Sequence, residues 1–131
     1  MDINKTKLAQ IARQYGLSQI LLFGSQASWQ TTAESDFDLG ILAPKPLSPR
    51  RKETLLIDLS QKLNLPIQKI DLTFLNQAGP LLLYQSVKNA RLLYGQPKFF
   101  TAFQLRAVKQ YQDHQKFFKL RDNYLRQQYK K

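Results

Sequence analysis

Two hydrophobic periods alternate along this chain, and the switches between them mark out its elements. In "NKTKLAQIARQYG" the apolar positions Leu8, Ile11, Ala12 and Tyr15 recur at the i, i+3, i+4, i+7 spacing of an amphipathic helix. Asn4 stands where an N-cap is expected, and Gly16 where a helix stops. "SQILLFG" then predicts a short buried strand ended by Gly24. After a polar loop of about ten residues, "DFDLGIL" predicts a second strand. "APKPLSP", with three prolines in seven residues, reads as a loop. Leu55, Leu56, Leu59 and Leu63 in "RRKETLLIDLSQKLN" share one helical face. Pro66 separates this helix from "IQKIDLTFL", a third strand. Pro80 opens a helix over "GPLLLYQSVKNA", at a position where its missing N–H costs nothing. "RLLYG" is either a short fourth strand or a turn.

The order is helix, strand, strand, helix, strand, helix, then that possible strand. Two strands follow one another directly, so a mixed sheet backed by helices, an α/β (α+β) fold, fits better than a purely parallel one. From Lys98 onward the character changes. "KFFTAFQLRAVKQYQDHQKFFKLRDNYLRQQYKK" contains no Gly or Pro, and Phe100, Phe103, Ala107, Tyr111, His114, Phe118 and Leu125 fall near one helical stripe. A helix of about thirty residues spans roughly 45 Å, longer than a small domain is wide. Either it breaks and folds back, or part of it protrudes with its aromatics exposed.

Composition narrows the chemistry. With 131 residues and 43% hydrophobic content the chain is one domain's worth of a folded globule. It has no cysteine, which excludes disulfides and Cys-based zinc or redox sites, and one histidine, His114, which argues against a Ser-His-Asp triad. Any metal must therefore be a hard cation held by carboxylates. No run approaches the roughly 20 apolar residues of a membrane span. "MDINKTKLAQ" lacks the apolar segment of a signal peptide, so the expected location is the cytoplasm. The net charge of +11 is uneven: residues 98–131 hold nine basic and two acidic residues, against eleven and seven in residues 1–97.

The acids that remain are placed suggestively. In a strand, Asp36 and Asp38 project to the same face with Cα atoms about 6.5–7 Å apart, while Phe37 and Leu39 point the other way. Two ionised carboxylates so placed repel unless a cation lies between them, and their oxygens suit Mg²⁺. If the strand "KIDLTFL" lies beside "DFDLGI", Asp71 joins the same acidic face; otherwise it is a strand-end acid bonded to nearby backbone. Three carboxylates on adjacent strands can hold two metal ions, which activate an attacking oxygen and neutralise a leaving pyrophosphate. Gly24 permits a tight strand-to-loop turn, and N–H groups there, with the Ser25 hydroxyl, can bind phosphate oxygens.

The full pattern is Gly24-Ser25, ten residues, then Asp36-x-Asp38 in a strand, then Asp71 in a later strand. In "LLFGSQASWQTTAESDFDLGIL" and "KIDLTFL" it resembles the signature of the minimal nucleotidyltransferases (MNT) of the polymerase-beta-like superfamily. The resemblance covers about residues 1–97 and implies the nucleotidyltransferase fold. It further implies that Asp36, Asp38 and Asp71 coordinate two Mg²⁺ ions bound to ATP and that Gly24 and Ser25 hold its phosphates. The aromatic, basic extension at 98–131 resembles that of MNT antitoxins paired with HEPN toxins. That group transfers AMP from ATP to a tyrosine of the partner HEPN ribonuclease and so silences it, with Asp71 the expected general base and the extension contacting the partner. Alternatives are a weakly catalytic antitoxin that acts by binding, or nucleotide transfer to a small molecule; nucleic acid is not the expected primary partner. The loop "QASWQTTAE" departs from many family members in lacking basic residues. Arg50, Arg51 and Lys52 either substitute for them or are solvated surface charge. Trp29 either stacks on a ligand or packs in its loop.

Overall fold

The computed structural model describes residues 4–23 and 37–129. Helix α1 (Lys5–Tyr15) begins where the Asn4 side chain accepts a hydrogen bond from the Lys7 N–H, 3.1 Å. It ends at Gly16, whose φ of +66° lets the Leu17 N–H turn back to the Ala12 carbonyl, 2.8 Å. Strand β1 (Gln19–Phe23) follows, then β2 (Phe37–Leu42). Helix α2 (Pro49–Leu63) has Ser48 as its N-cap and Asn64 in the left-handed conformation at its end. Beyond it come β3 (Ile70–Phe74), α3 (Pro80–Val87), β4 (Arg91–Tyr94) and α4 (Pro97–Tyr129). "RLLYG" is thus a strand. The third predicted strand is shorter than its apolar pattern, because Ile67–Lys69 form a 3₁₀ turn before Ile70.

The four strands form one mixed sheet in the order β3-β2-β1-β4. β1 is antiparallel to both β2 and β4, whereas β2 and β3 run parallel, joined through α2. Strand alternation gives the sheet two distinct faces. Ile20, Leu22, Phe37, Leu39, Ile41, Ile70 and Leu93 pack against Leu8, Ile11, Ala12 and Tyr15 of α1 and Leu55 and Leu59 of α2. On the other face Leu21, Leu75, Val87 and Ala107 form a second buried cluster, edged by Phe23, Leu42, Phe100 and Phe103.

Helix α4 is a single unbroken element of 33 residues, about 50 Å long at 1.5 Å per residue. Its first half closes the second face. Ala107 is buried, the Gln104 amide donates to the Val87 carbonyl at the end of α3 (3.0 Å), and Tyr111 stacks on Tyr84 with ring centroids 4.1 Å apart. Between Tyr111 and Gln128 nothing is buried. Of the two sequence expectations, the helix protrudes rather than folding back. No helix among the described residues is long and apolar enough to cross a membrane.

Candidate active site

β2 reads Phe37, Asp38, Leu39, Gly40, Ile41, Leu42, and its odd-numbered residues fill the core under α1 and α2. Asp38 therefore faces the α3/α4 side of the sheet. Its cross-strand neighbours are Phe23 of β1 and Asp71 of β3. In a parallel pair, register neighbours point to the same face on strands about 4.8 Å apart. Asp38 and Asp71 are thus side by side, the inner one half-buried and the outer one, on the edge strand, exposed. Ile70 and Leu72 hold β3 down on the opposite face, which leaves Asp71 turned away from that core.

The adjacency expected of Asp71 is therefore present in the structure. Asp36, Gly24 and Ser25 lie outside the described residues, as does Trp29. Two like charges on directly opposed positions destabilise a sheet unless something compensates them. As hard oxygen donors, the two carboxylates fit a Mg²⁺ ion in chemistry and in facing.

Arg51 and Lys52 are committed elsewhere. The Arg51 guanidinium lies over the Tyr15 ring, 4.9 Å from its centroid, and donates to the Gln14 carbonyl at 3.3 Å. The Lys52 ammonium lies 4.7 Å from the centroid of Phe74, at the opposite end of β3 from Asp71 and on the opposite face. Both cations contact the α1/α2 side, so Arg51 and Lys52 are neither free surface charge nor turned toward Asp38 and Asp71. His114 lies far along α4, edge-on to Phe118 with centroids 4.6 Å apart.

Two residues that the sequence reading passed over complete the site's floor. Phe23 sits directly beside Asp38. Gly40, next on the same face of β2, allows that ring to lie close: a Cβ on Gly40 would stand 2.6 Å from Phe23 Cε1 and 2.9 Å from Leu75 Cδ1. The signal was present in strand alternation, since Phe23, Asp38 and Gly40 occupy one face once β1 and β2 are paired.

The polymerase beta nucleotidyltransferase family model matches residues 6–99. The chain belongs to this family. The match takes in every strand of the sheet, both carboxylates of the paired register and the segment that joins β1 to β2. A search of curated protein sequences finds no significant match. Among solved structures, a toxin–antitoxin with AMP-PNP is 25% identical at a TM-score of 0.75, over 94% of this chain and 98% of that one. A mutant of the toxin–antitoxin MntA-HpeT is 26% identical at a TM-score of 0.73, over 95% of this chain and 98% of that one. A structure of the tri-AMPylated Shewanella oneidensis HEPN toxin in complex with MNT antitoxin aligns at a TM-score of 0.68 and 24% identity. That alignment covers 92% of this chain and 94% of the other and shows the shared fold. The nucleotidyltransferase fold expected from the motif is the fold observed.

Proposed function

We propose that this nucleotidyltransferase is an antitoxin that transfers AMP from ATP to a tyrosine hydroxyl of a HEPN-family ribonuclease toxin, and so silences it. The observation that carries the reading is the paired register of Asp38 and Asp71 at the open edge of a family-matched sheet. It is supported by the likeness, over nearly the full length of both chains, to a toxin–antitoxin holding an ATP analogue.

Asp38 and Asp71, with Asp36, would hold the Mg²⁺ ions. Bound Mg²⁺ would neutralise charge on the phosphates and lower the pKa of the attacking hydroxyl. Gly24 and Ser25 would cradle the terminal phosphates through N–H and hydroxyl donors. Asp71 is the outer, exposed carboxylate and so the one an incoming side chain meets first. It would accept the tyrosine proton as the phenolate oxygen bonds to the α-phosphorus. The bond from that phosphorus to the bridging oxygen of the β-phosphate breaks, and pyrophosphate leaves. A reaction that consumes ATP and acts on a ribonuclease fits a cytoplasmic location.

The test is incubation with ATP labelled at the α-phosphate, Mg²⁺ and the product of any HEPN-like gene adjacent to that of this chain. Label on a partner tyrosine supports the reading, and its loss on chelation of the metal supports the metal requirement. A partner that stays unlabelled in the presence of the intact chain sinks it. Neutralisation that survives Asp36→Asn together with Asp38→Asn would instead assign the antitoxin effect to binding.

A further inference from the structure

The end of the sheet away from Asp38 holds a cleft that has no part in the chemistry at the two carboxylates. β1 starts at Gln19, paired with Leu42, and ends at Phe23, paired with Asp38. The length of the strand separates its two ends by about 13 Å. By alternation Gln19 shares the face of Leu21 and Phe23, the face that α4 covers. At the Gln19 end that cover is incomplete. A cleft of about 520 Å³ opens there, lined by Gln19, Leu42 and Leu75 on one side and by Phe99, Phe103 and Arg106 of α4 on the other. Its volume lies in the range of small-molecule sites, roughly 300–1,000 Å³.

Two polar side chains at this cleft stand without a partner among the described residues. Gln19 is only 7% exposed, and its buried Oε1 accepts no hydrogen bond. Its stem is held in place against Gly95, where a Cβ would stand 3.0 Å from Gln19 Cγ. A buried carbonyl oxygen that loses water and gains no donor is destabilising, so an apolar side chain would serve this face better unless something donates to the amide. Arg106 forms no ion pair among the described residues, where the salt bridge is Arg126 with Asp122. No described Asp or Glu lines the cleft, which leaves it cationic. Ser18 and Asn76, at the same cleft, are by contrast engaged. The Ser18 hydroxyl donates to the Leu42 carbonyl (3.0 Å), and the Asn76 amide bonds both the N–H and the carbonyl of Ala43.

These features specify an occupant by its chemistry. The Gln19 oxygen requires a donor, Arg106 requires a negatively charged acceptor, and Phe103 and the 54% exposed Phe99 offer ring surface to a planar body. A single guanidinium matches a single carboxylate through two parallel N–H···O bonds. A water alone would satisfy Gln19 but leave Arg106 and the aromatic wall uncovered. We infer that this cleft is a second binding site, for a small aromatic carboxylate whose ring carries an N–H. The ring N–H donates to Gln19, the carboxylate accepts from Arg106, and the ring lies against Phe99 and Phe103. The site is independent of the reading above, since none of its residues takes part in the transfer.

The probe is indole-3-acetate, titrated calorimetrically into the full chain beside indole, which lacks the anion, and naphthalene-1-acetate, which lacks the N–H. Indole-3-acetate should bind saturably, and each of the other two about tenfold more weakly. Gln19→Leu should erase the preference over naphthalene-1-acetate, and Arg106→Gln the preference over indole. Neither should lower the thermal midpoint, because the first removes an unsatisfied oxygen and the second alters an exposed side chain. If Gln19→Leu fails to fold, Arg106→Gln and the indole comparison still decide. Asp38→Asn should leave binding unchanged. No saturable binding by the parent up to about 5 mM probe overturns the inference and assigns the Gln19 oxygen to a bound water. Preferences that survive both variants overturn it too, as does binding lost in Asp38→Asn, which would put the probe at the carboxylate pair. Adenosine monophosphate that binds more tightly than indole-3-acetate, and is lost in both variants, would overturn the carboxylate assignment in favour of a nucleotide.

Discussion

The two faces of β2 do different things, although they are built from alternate residues of one six-residue strand. Phe37, Leu39 and Ile41 are buried beneath α1 and α2. Asp38, Gly40 and Leu42 face the other way, where cover is partial and the carboxylate of Asp71 stands alongside. One face is where the strand is anchored; the other is where the anchored strand displays its chemistry. Rigidity on the first face is what makes the position of Asp38 on the second reproducible, since a carboxylate that drifts by an ångström loses much of its catalytic effect.

Substitutions on β2 should separate these roles. Asp38→Asn should lower nucleotide transfer about 10²- to 10³-fold, the order for losing one electrostatic support of the transition state, because it removes a carboxylate that would hold Mg²⁺. Its thermal midpoint should move far less than that of a core variant, and a midpoint loss as large as that of Leu39→Ala would make Asp38 a structural residue. Leu39→Ala should cost about 3 kcal/mol in chemical denaturation, because Leu39 is fully buried and its removal leaves a cavity. Transfer by the fraction that remains folded should be near normal.

Gly40→Ala tests the link between the faces. The new methyl meets the Phe23 ring and Leu75, so stability should fall by about 1–3 kcal/mol through overpacking. Because Phe23 abuts Asp38, activity per folded molecule should fall as well, and Phe23→Leu in the same chain should restore part of it. Unchanged specific activity would show that the ring does not position the carboxylate.

The smallest effect belongs to the anchored side. Burial, and then the hydrogen bond to Asp58, hold the Tyr15 phenol above its ordinary pKa of 10.0. The native state thus keeps a proton that the unfolded state releases first, so this contribution is complete below pH 10 and is lost as pH rises through the native value. Tyr15→Phe should cost about 1 kcal/mol at neutral pH and flatten the alkaline decline in stability, with transfer unaffected.

Much of this architecture was legible because local rules and tertiary packing agree. Leu8, Ile11, Ala12 and Tyr15 are all buried, Asn4 caps α1 and Gly16 ends it, and Pro80 opens α3. The same agreement made the common face of Asp38 and Asp71 readable, conditional on the two strands being neighbours. What was not legible depended on partners remote in sequence. The commitment of Arg51 and Lys52 to Tyr15 and Phe74 follows from where α2 crosses the sheet, and nothing in "RRKE" announces it.

The sequence by itself determined the elements, the alternation that turns Asp38 away from the Phe37 and Leu39 side of β2, and the motif that marks the family. Those are properties of neighbouring residues, fixed by strand and helix periodicity and by the backbone preferences of Gly, Pro and Asn. Tertiary structure alone decided that β3 lies parallel against β2 in the register that pairs Asp38 with Asp71. It also decided where along α4 the body's cover ends. Both are settled by which apolar surfaces find one another, because hydrophobic burial is non-directional and its outcome depends on the whole chain.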